Sequence, residues 1–134
     1  MLNIYVDCHI WGERFSPKAV ESKTGIAFQK KNEPGDIADS GRYRDQPRPY
    51  GSATLVVREG GERGDLISFE AIKYLGKNLH EFKRAGATDI SLDIVVAYGG
   101  QCNLEMSAAL LNSLASLQIP LTISCYEDHA LREE

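Results

Sequence analysis

Residues 88–126 carry the pattern that most constrains this chain: an alternating run, a double glycine, a helical stripe and a second alternating run in immediate succession. Ile90, Leu92, Ile94, Val96 and Tyr98 alternate with Asp89, Ser91, Asp93, Val95 and Ala97. Period two places these sets on opposite faces of a strand, one buried and one polar. Gly99-Gly100 ends the run, because paired glycines reach backbone angles closed to branched residues. Asn103 or Ser107 suits a helix N-cap, where a short polar side chain accepts a bond from a first-turn N–H, and Glu105 suits the dipole there. Leu110, Leu111, Leu114 and Leu117 then recur at helical spacing on one side, and Pro120 stops the helix. In residues 121–126, Leu121, Ile123 and Cys125 alternate with Thr122, Ser124 and Tyr126.

The same grammar runs through the rest of the chain. Leu2, Ile4, Val6, Cys8 and Ile10 alternate with Asn3, Tyr5, Asp7, His9 and Trp11, which predicts a second half-buried strand. Ser16-Pro17 opens a short helix over residues 18–23, with Ser as cap and Pro where its missing N–H costs nothing, and Gly25 closes it. Residues 26–28 read as a brief strand. Residues 29–50 lose apolar periodicity and read as a long polar loop, of a length that tends to be functional or disordered; its Arg and Tyr residues read first as incidental on a solvated loop and second as a partner contact. Ala53, Leu55 and Val57 mark a third long strand, residues 59–64 a polar turn, and Ser68 the cap of the longest helix. Ile72, Leu75, Leu79 and Phe82 form the apolar stripe of that helix, and Gly86 ends it. Gly76 inside it costs about 1 kcal/mol relative to Ala, which points to close packing or a tolerated weakness. Residues 127–134 read as an acidic, fraying tail.

Strand, glycine turn, capped helix and strand thus occur at residues 2–28 and again at residues 88–126. The expected fold is a single α+β domain over residues 1–134. Its one sheet of four to five strands, mostly antiparallel or mixed, carries helices on one face. The other face would present Tyr5, Asp7, His9, Trp11, Asp89, Ser91, Asp93, Thr122, Ser124 and Tyr126.

Composition narrows the function classes. The 134 residues are 43% hydrophobic and 25% charged, so a folded core is expected without a metal or disulfide to hold it. A net charge of −4 disfavours nonspecific nucleic-acid binding and suits a basic partner. Three cysteines without CxxC spacing point to reduced thiols and a cytoplasmic setting. Met1 leads directly into a strand without a basic, apolar leader, and no apolar run is long enough to span a membrane.

No motif identifies a cofactor, and no cofactor is expected. Gly99-Gly100 belongs to neither GxxxxGK[ST] nor GxGxxG, so it reads as a turn. Cys8 and His9 point to opposite faces of one strand and cannot share a metal, so the Cys and His residues, Cys102, Cys125 and His129 included, predict no metal site. Asp7, Glu13, Asp89 and Asp93 are read as solvated acids rather than a hydrolytic pair. Cys102 stands ahead of a helix N-terminus, where a thiolate would be favoured, and a small enzyme with Cys102 as nucleophile is one alternative. A regulatory module binding nucleic acid through residues 29–50, with Lys30, Lys31, Arg42, Arg44, Arg48, Tyr43 and Tyr50, is another. The leading expectation is a non-enzymatic protein-binding domain. Its contact residues are expected to be Tyr5, Asp7, Trp11, Arg42, Tyr43, Arg44, Asp89, Asp93 and Tyr126, since aromatics and arginines anchor interfaces and acids steer basic partners.

Gly12-Glu13-Arg14-Phe15-Ser16-Pro17, Thr24-Gly25, Pro34-Gly35-Asp36 and the closing Cys125-Tyr126-Glu127-Asp128 together resemble a family of small bacterial α+β domains of unknown function. Some of its members are similar to immunity proteins that neutralise toxins used between competing bacteria. Tyr50 stands where that family would have a tryptophan. The resemblance supplies no catalytic residues. It implies an immunity-type inhibitor of a toxin, and the acidic balance adds the expectation that the toxin domain is basic.

Overall fold

In the computed structural model, which describes residues 1–61 and 65–131, five strands form one mixed sheet. The elements in chain order are β1 (Leu2–Gly12), α1 (Pro17–Thr24), β2 (Lys30–Asn32), β3 (Gly51–Glu59), α2 (Phe69–Arg84), β4 (Asp89–Tyr98), α3 (Ala108–Ser116) and β5 (Leu121–Glu127), followed by a 3-10 turn at His129–Leu131. The strand order is β2-β3-β1-β4-β5, with β2 antiparallel to β3 and β4 parallel to β5. This is the single-sheet α+β fold that the alternations predict. In β1, Ile4, Val6, Cys8 and Ile10 are buried while Tyr5 and Trp11 are exposed, so the sheet is covered on one side.

The chain divides into two compact units. The first comprises Met1–Cys8, Val56–Gly76 and Ser91–Glu134. Its core joins Ile4 and Val6 of β1, Leu92, Ile94 and Val96 of β4, Ile72 and Leu75 of α2, and Leu110, Leu114 and Leu117 of the α3 region. Ser107 caps α3 by accepting the Leu110 N–H at 3.1 Å. A Cβ on Gly76 would meet only Leu117 Cδ2, at 3.5 Å. At the end of β3, Arg58 donates to the carbonyls of Gly60, Gly61, Asp65 and Leu66, and Asn3 Oδ1 accepts the Gly61 N–H at 2.7 Å. One guanidinium thereby serves four carbonyls that follow the strand, of which Gly61 O also accepts the Ile4 N–H at 3.1 Å.

The second unit comprises His9–Leu55 and Lys77–Ile90. Phe15, Val20, Phe28, Leu79 and Phe82 are buried in it, and the Phe28 and Phe82 rings lie 6.2 Å apart. Ser16 caps α1 by accepting the Ala19 N–H, and its hydroxyl donates to Glu33 at 2.5 Å. Glu21 takes the Lys31 ammonium at 2.6 Å and the Phe28 N–H at 3.1 Å, tying α1 to the chain that leads into β2.

Several sequence expectations are corrected. Residues 26–28 form no strand; Ile26 and Phe28 are buried without ladder pairing, and the strand is β2, four residues further on. The segment 29–50 is therefore not all loop. Beyond β2 it folds back on itself, with Gly35 N–H to Arg48 O, Arg48 N–H to Asp36 O and Ala38 N–H to Gln46 O, and Ala38 is buried at its centre. Leu111 is exposed although it shares the leucine spacing, because the buried side of α3 is the narrower set Leu110, Leu114 and Leu117. Glu59 and Glu127 end strands rather than beginning a turn and a tail. The remainder of the predicted turn at 62–64, and of the predicted tail at 132–134, lies outside the described residues.

Candidate functional site: an aromatic patch and a polar sheet face

The expected contact residues fall into two groups, one in each unit. In the second unit, Trp11 at the end of β1 meets Tyr50, whose ring centroid is 5.5 Å away at 40°. Tyr43 approaches Tyr50 edge-on, with centroids 6.0 Å apart, and the Arg42 guanidinium lies 5.6 Å from the Tyr43 centroid. The strand period turns Trp11 to the open face, while the refolded loop of residues 33–50 carries the two tyrosines to it. Trp11 is 37% exposed, and Tyr43 and Tyr50 are half-buried, so the rings support one another and still present apolar surface to solvent. Arg44 and Asp89 are exposed; the Thr88 hydroxyl donates to Asp89 at 3.1 Å, and Arg44 makes no ring contact among the described residues.

In the first unit, Tyr5 and Tyr126 are exposed, and Asp7 and Asp93 are half-buried. The Tyr5 hydroxyl accepts from Asn3 Nδ2 at 2.6 Å. Asp93 is in register with Thr122, and Ala97 with Tyr126, so the open faces of β4 and β5 are continuous. Asp7 and Asp93 also act on the core behind them. Burial pushes the Cys8 thiol up to about 12, with the charges of Asp7 and Asp93 adding in that order.

The cysteines differ from expectation. Because α3 begins at Ala108 and Ser107 is its cap, Cys102 lies outside the helix and gains nothing from its dipole. Burial raises the Cys102 thiol instead, as do the charge of Cys125 and the hydrogen bond that the Cys102 thiol donates to it. Among the described residues no group of His, Cys, Asp or Glu is arranged to hold a metal, and no helix is long and apolar enough to cross a membrane.

Tyr50 is the patch residue that sequence reasoning left out of the contact set. Its signal was its place directly before β3, where a strand start fixes a neighbouring ring. Arg58 was also missed, because a lone arginine in an alternating strand reads as a solvated end.

No protein-family model, curated protein or solved structure matches this chain.

Proposed function

We propose that this chain is a non-enzymatic protein-binding domain of the immunity type, acting in the cytoplasm to block a basic toxin domain. The observation that carries the reading is the Trp11–Tyr50–Tyr43 cluster with Arg42 on its rim. Binding energy in protein interfaces concentrates on Trp, Tyr and Arg, and rings already held by neighbours lose little entropy when a partner arrives. Support for a basic partner comes from charge: β1, β4 and β5 contain Asp7, Asp89, Asp93 and Glu127 and no Lys or Arg, and the chain as a whole carries −4. Such a distribution speeds encounter with a cationic surface and repels anionic ones.

The test is co-expression with each toxic protein that a neighbouring gene is found to encode, read as growth, together with complex formation between the purified proteins. Protection that is lost in Trp11→Ala while thermal unfolding stays cooperative is the expected result. An absence of both protection and complex overturns the reading. Salt-sensitive retention on RNA, abolished in Arg42→Ala/Arg44→Ala, would replace it with the nucleic-acid alternative.

A further inference from the structure

The sheet ends differently on its two sides. β2 is three residues long and exposes Lys30 and Lys31, the features that discourage a further strand from adding. β5 is seven residues long, exposed throughout, and contains no Lys, Arg or Pro. Its only charge is Glu127, the last residue.

The direction of its outer backbone groups follows from the bonds at both of its ends. Leu92 N–H donates to Pro120 O and Asp128 N–H donates to Tyr98 O, in a ladder that registers Leu92 with Leu121 and Tyr98 with Glu127. Successive residues of a strand serve opposite neighbours. Thr122, Ser124 and Tyr126 therefore bond β4, and Leu121, Ile123 and Cys125 turn their N–H and C=O groups to the open edge. The side chains of these three residues stand in register with Leu92, Ile94 and Val96, which are buried. The apolar layer of the core thus runs on to the edge strand, where Leu121 is 38% and Ile123 37% exposed.

We propose that β5 pairs with β5 of a second copy of this chain, antiparallel and centred on Ile123, to give a two-fold dimer with one continuous sheet. In that register Ile123 faces its own counterpart, and Leu121 faces Cys125 of the second copy. Each facing pair exchanges both edge hydrogen bonds, and the apolar strips of the two copies join. On the opposite face Thr122 meets Ser124, a favourable hydroxyl pair. The two Glu127 carboxylates lie roughly 26 Å apart at about 3.3 Å per residue, so the only charges on the strand do not oppose one another. β2 is a poorer occupant of this edge, since it brings too few residues and sets lysines beside an apolar strip. A β5–β5 contact also leaves only the lysine-guarded β2 edges outermost, so assembly closes at two copies.

The test is the solution mass of the full chain across a concentration series, by sedimentation equilibrium. The wild-type protein is expected to approach twice 14.8 kDa as concentration rises. Ile123→Lys places a charge at the two-fold axis. Ile123→Pro removes an N–H that points outward and so breaks no bond to β4. Both variants are expected to stay at the monomer mass with cooperative thermal unfolding, while Thr122→Lys, on the other face, still dimerises. A wild-type chain that remains monomeric at every concentration overturns the proposal, as does a dimer that survives both Ile123 variants. Loss of dimerisation leaves toxin protection to be read separately, because the Trp11 patch contains no β5 residue.

Discussion

The carbonyl oxygen of Gly86 occupies the place where a side chain on Gly12 would begin: a Cβ there would stand 2.3 Å from it. Gly86 itself has a φ of 106°, and its own Cβ would meet Arg14 O at 2.4 Å. Two backbone segments of the second unit therefore touch without side chains between them, and both glycines are required by space rather than by turn chemistry alone. Gly12→Ala is expected to lower stability by about 1–3 kcal/mol, the usual cost of overpacking, because the clash is with backbone that has little freedom to yield. Urea unfolding measures it, and a change below a few tenths of a kcal/mol would show that the segments can part.

Gly76→Ala should act in the opposite direction. The residue is in the middle of α2, and its added methyl group would meet only Leu117 Cδ2 at an ordinary 3.5 Å. The gain in helix propensity is then not offset by a clash, and stability should rise by about 0.5–1 kcal/mol. A lower midpoint in the same urea titration would contradict this packing.

Glu21 links pH to stability. The hydrogen bond from Lys31, then that from the Phe28 N–H, hold its carboxyl below the ordinary glutamate value of 4.5. A carboxylate depressed in the folded state binds its proton more readily when unfolded, so its contribution is present above about 4.5 and is lost as pH falls through the lower folded value. Glu21→Gln is expected to flatten that acid limb of the thermal midpoint against pH while leaving its shape near neutrality. An unchanged acid limb would mean that the pair contributes nothing to it.

Trp11 is the only tryptophan, so its emission reports the aromatic patch alone. Removing the Tyr50 ring, 5.5 Å away, should shift the emission to longer wavelength as water reaches the indole, at a stability cost of about 0.5–1.5 kcal/mol for the lost ring pair. Emission identical to wild type in Tyr50→Ala would separate the two rings in solution.

The three thiols should label in a fixed order. Cys125 is exposed, Cys102 is half-buried with a raised thiol, and Cys8 is buried and pushed up to about 12. Maleimide near neutral pH is expected to modify Cys125 first and Cys102 more slowly, with Cys8 reacting only after unfolding, since the thiolate is the nucleophile. Intact-protein mass spectrometry with peptide mapping follows the order. Fast labelling of Cys102 would restore the case for a reactive nucleophile there.

What could be read without coordinates was local. Alternation placed β1, β3, β4 and β5 and most of the buried residues of the interior strands, because period two is a property of the extended chain itself. Leu2, Val57 and Tyr98 are nonetheless only half-buried, and Ala97, on the other side of the alternation, is buried. Ser16, Ser68 and Ser107 accept the N–H groups of Ala19, Ala71 and Leu110, as their positions ahead of apolar stripes implied. β2 was missed because Lys-Lys-Asn has no apolar face of its own. It becomes a strand only through β3, opposite Ala53 and Thr54, and through the Asn32 amide that donates to Tyr50 O.

Tertiary structure decided everything that depended on which residue lies beside which. The sequence determined that β5 alternates, yet not that it would sit at the edge with both faces in solvent, since a strand's burial is set by the elements that cover it. The sequence determined that Trp11 faces the open side of β1. Only the refolding of residues 33–50 brought Tyr50 and Tyr43 to it, because a ring contact between residues so distant in the chain is a property of packing and not of periodicity.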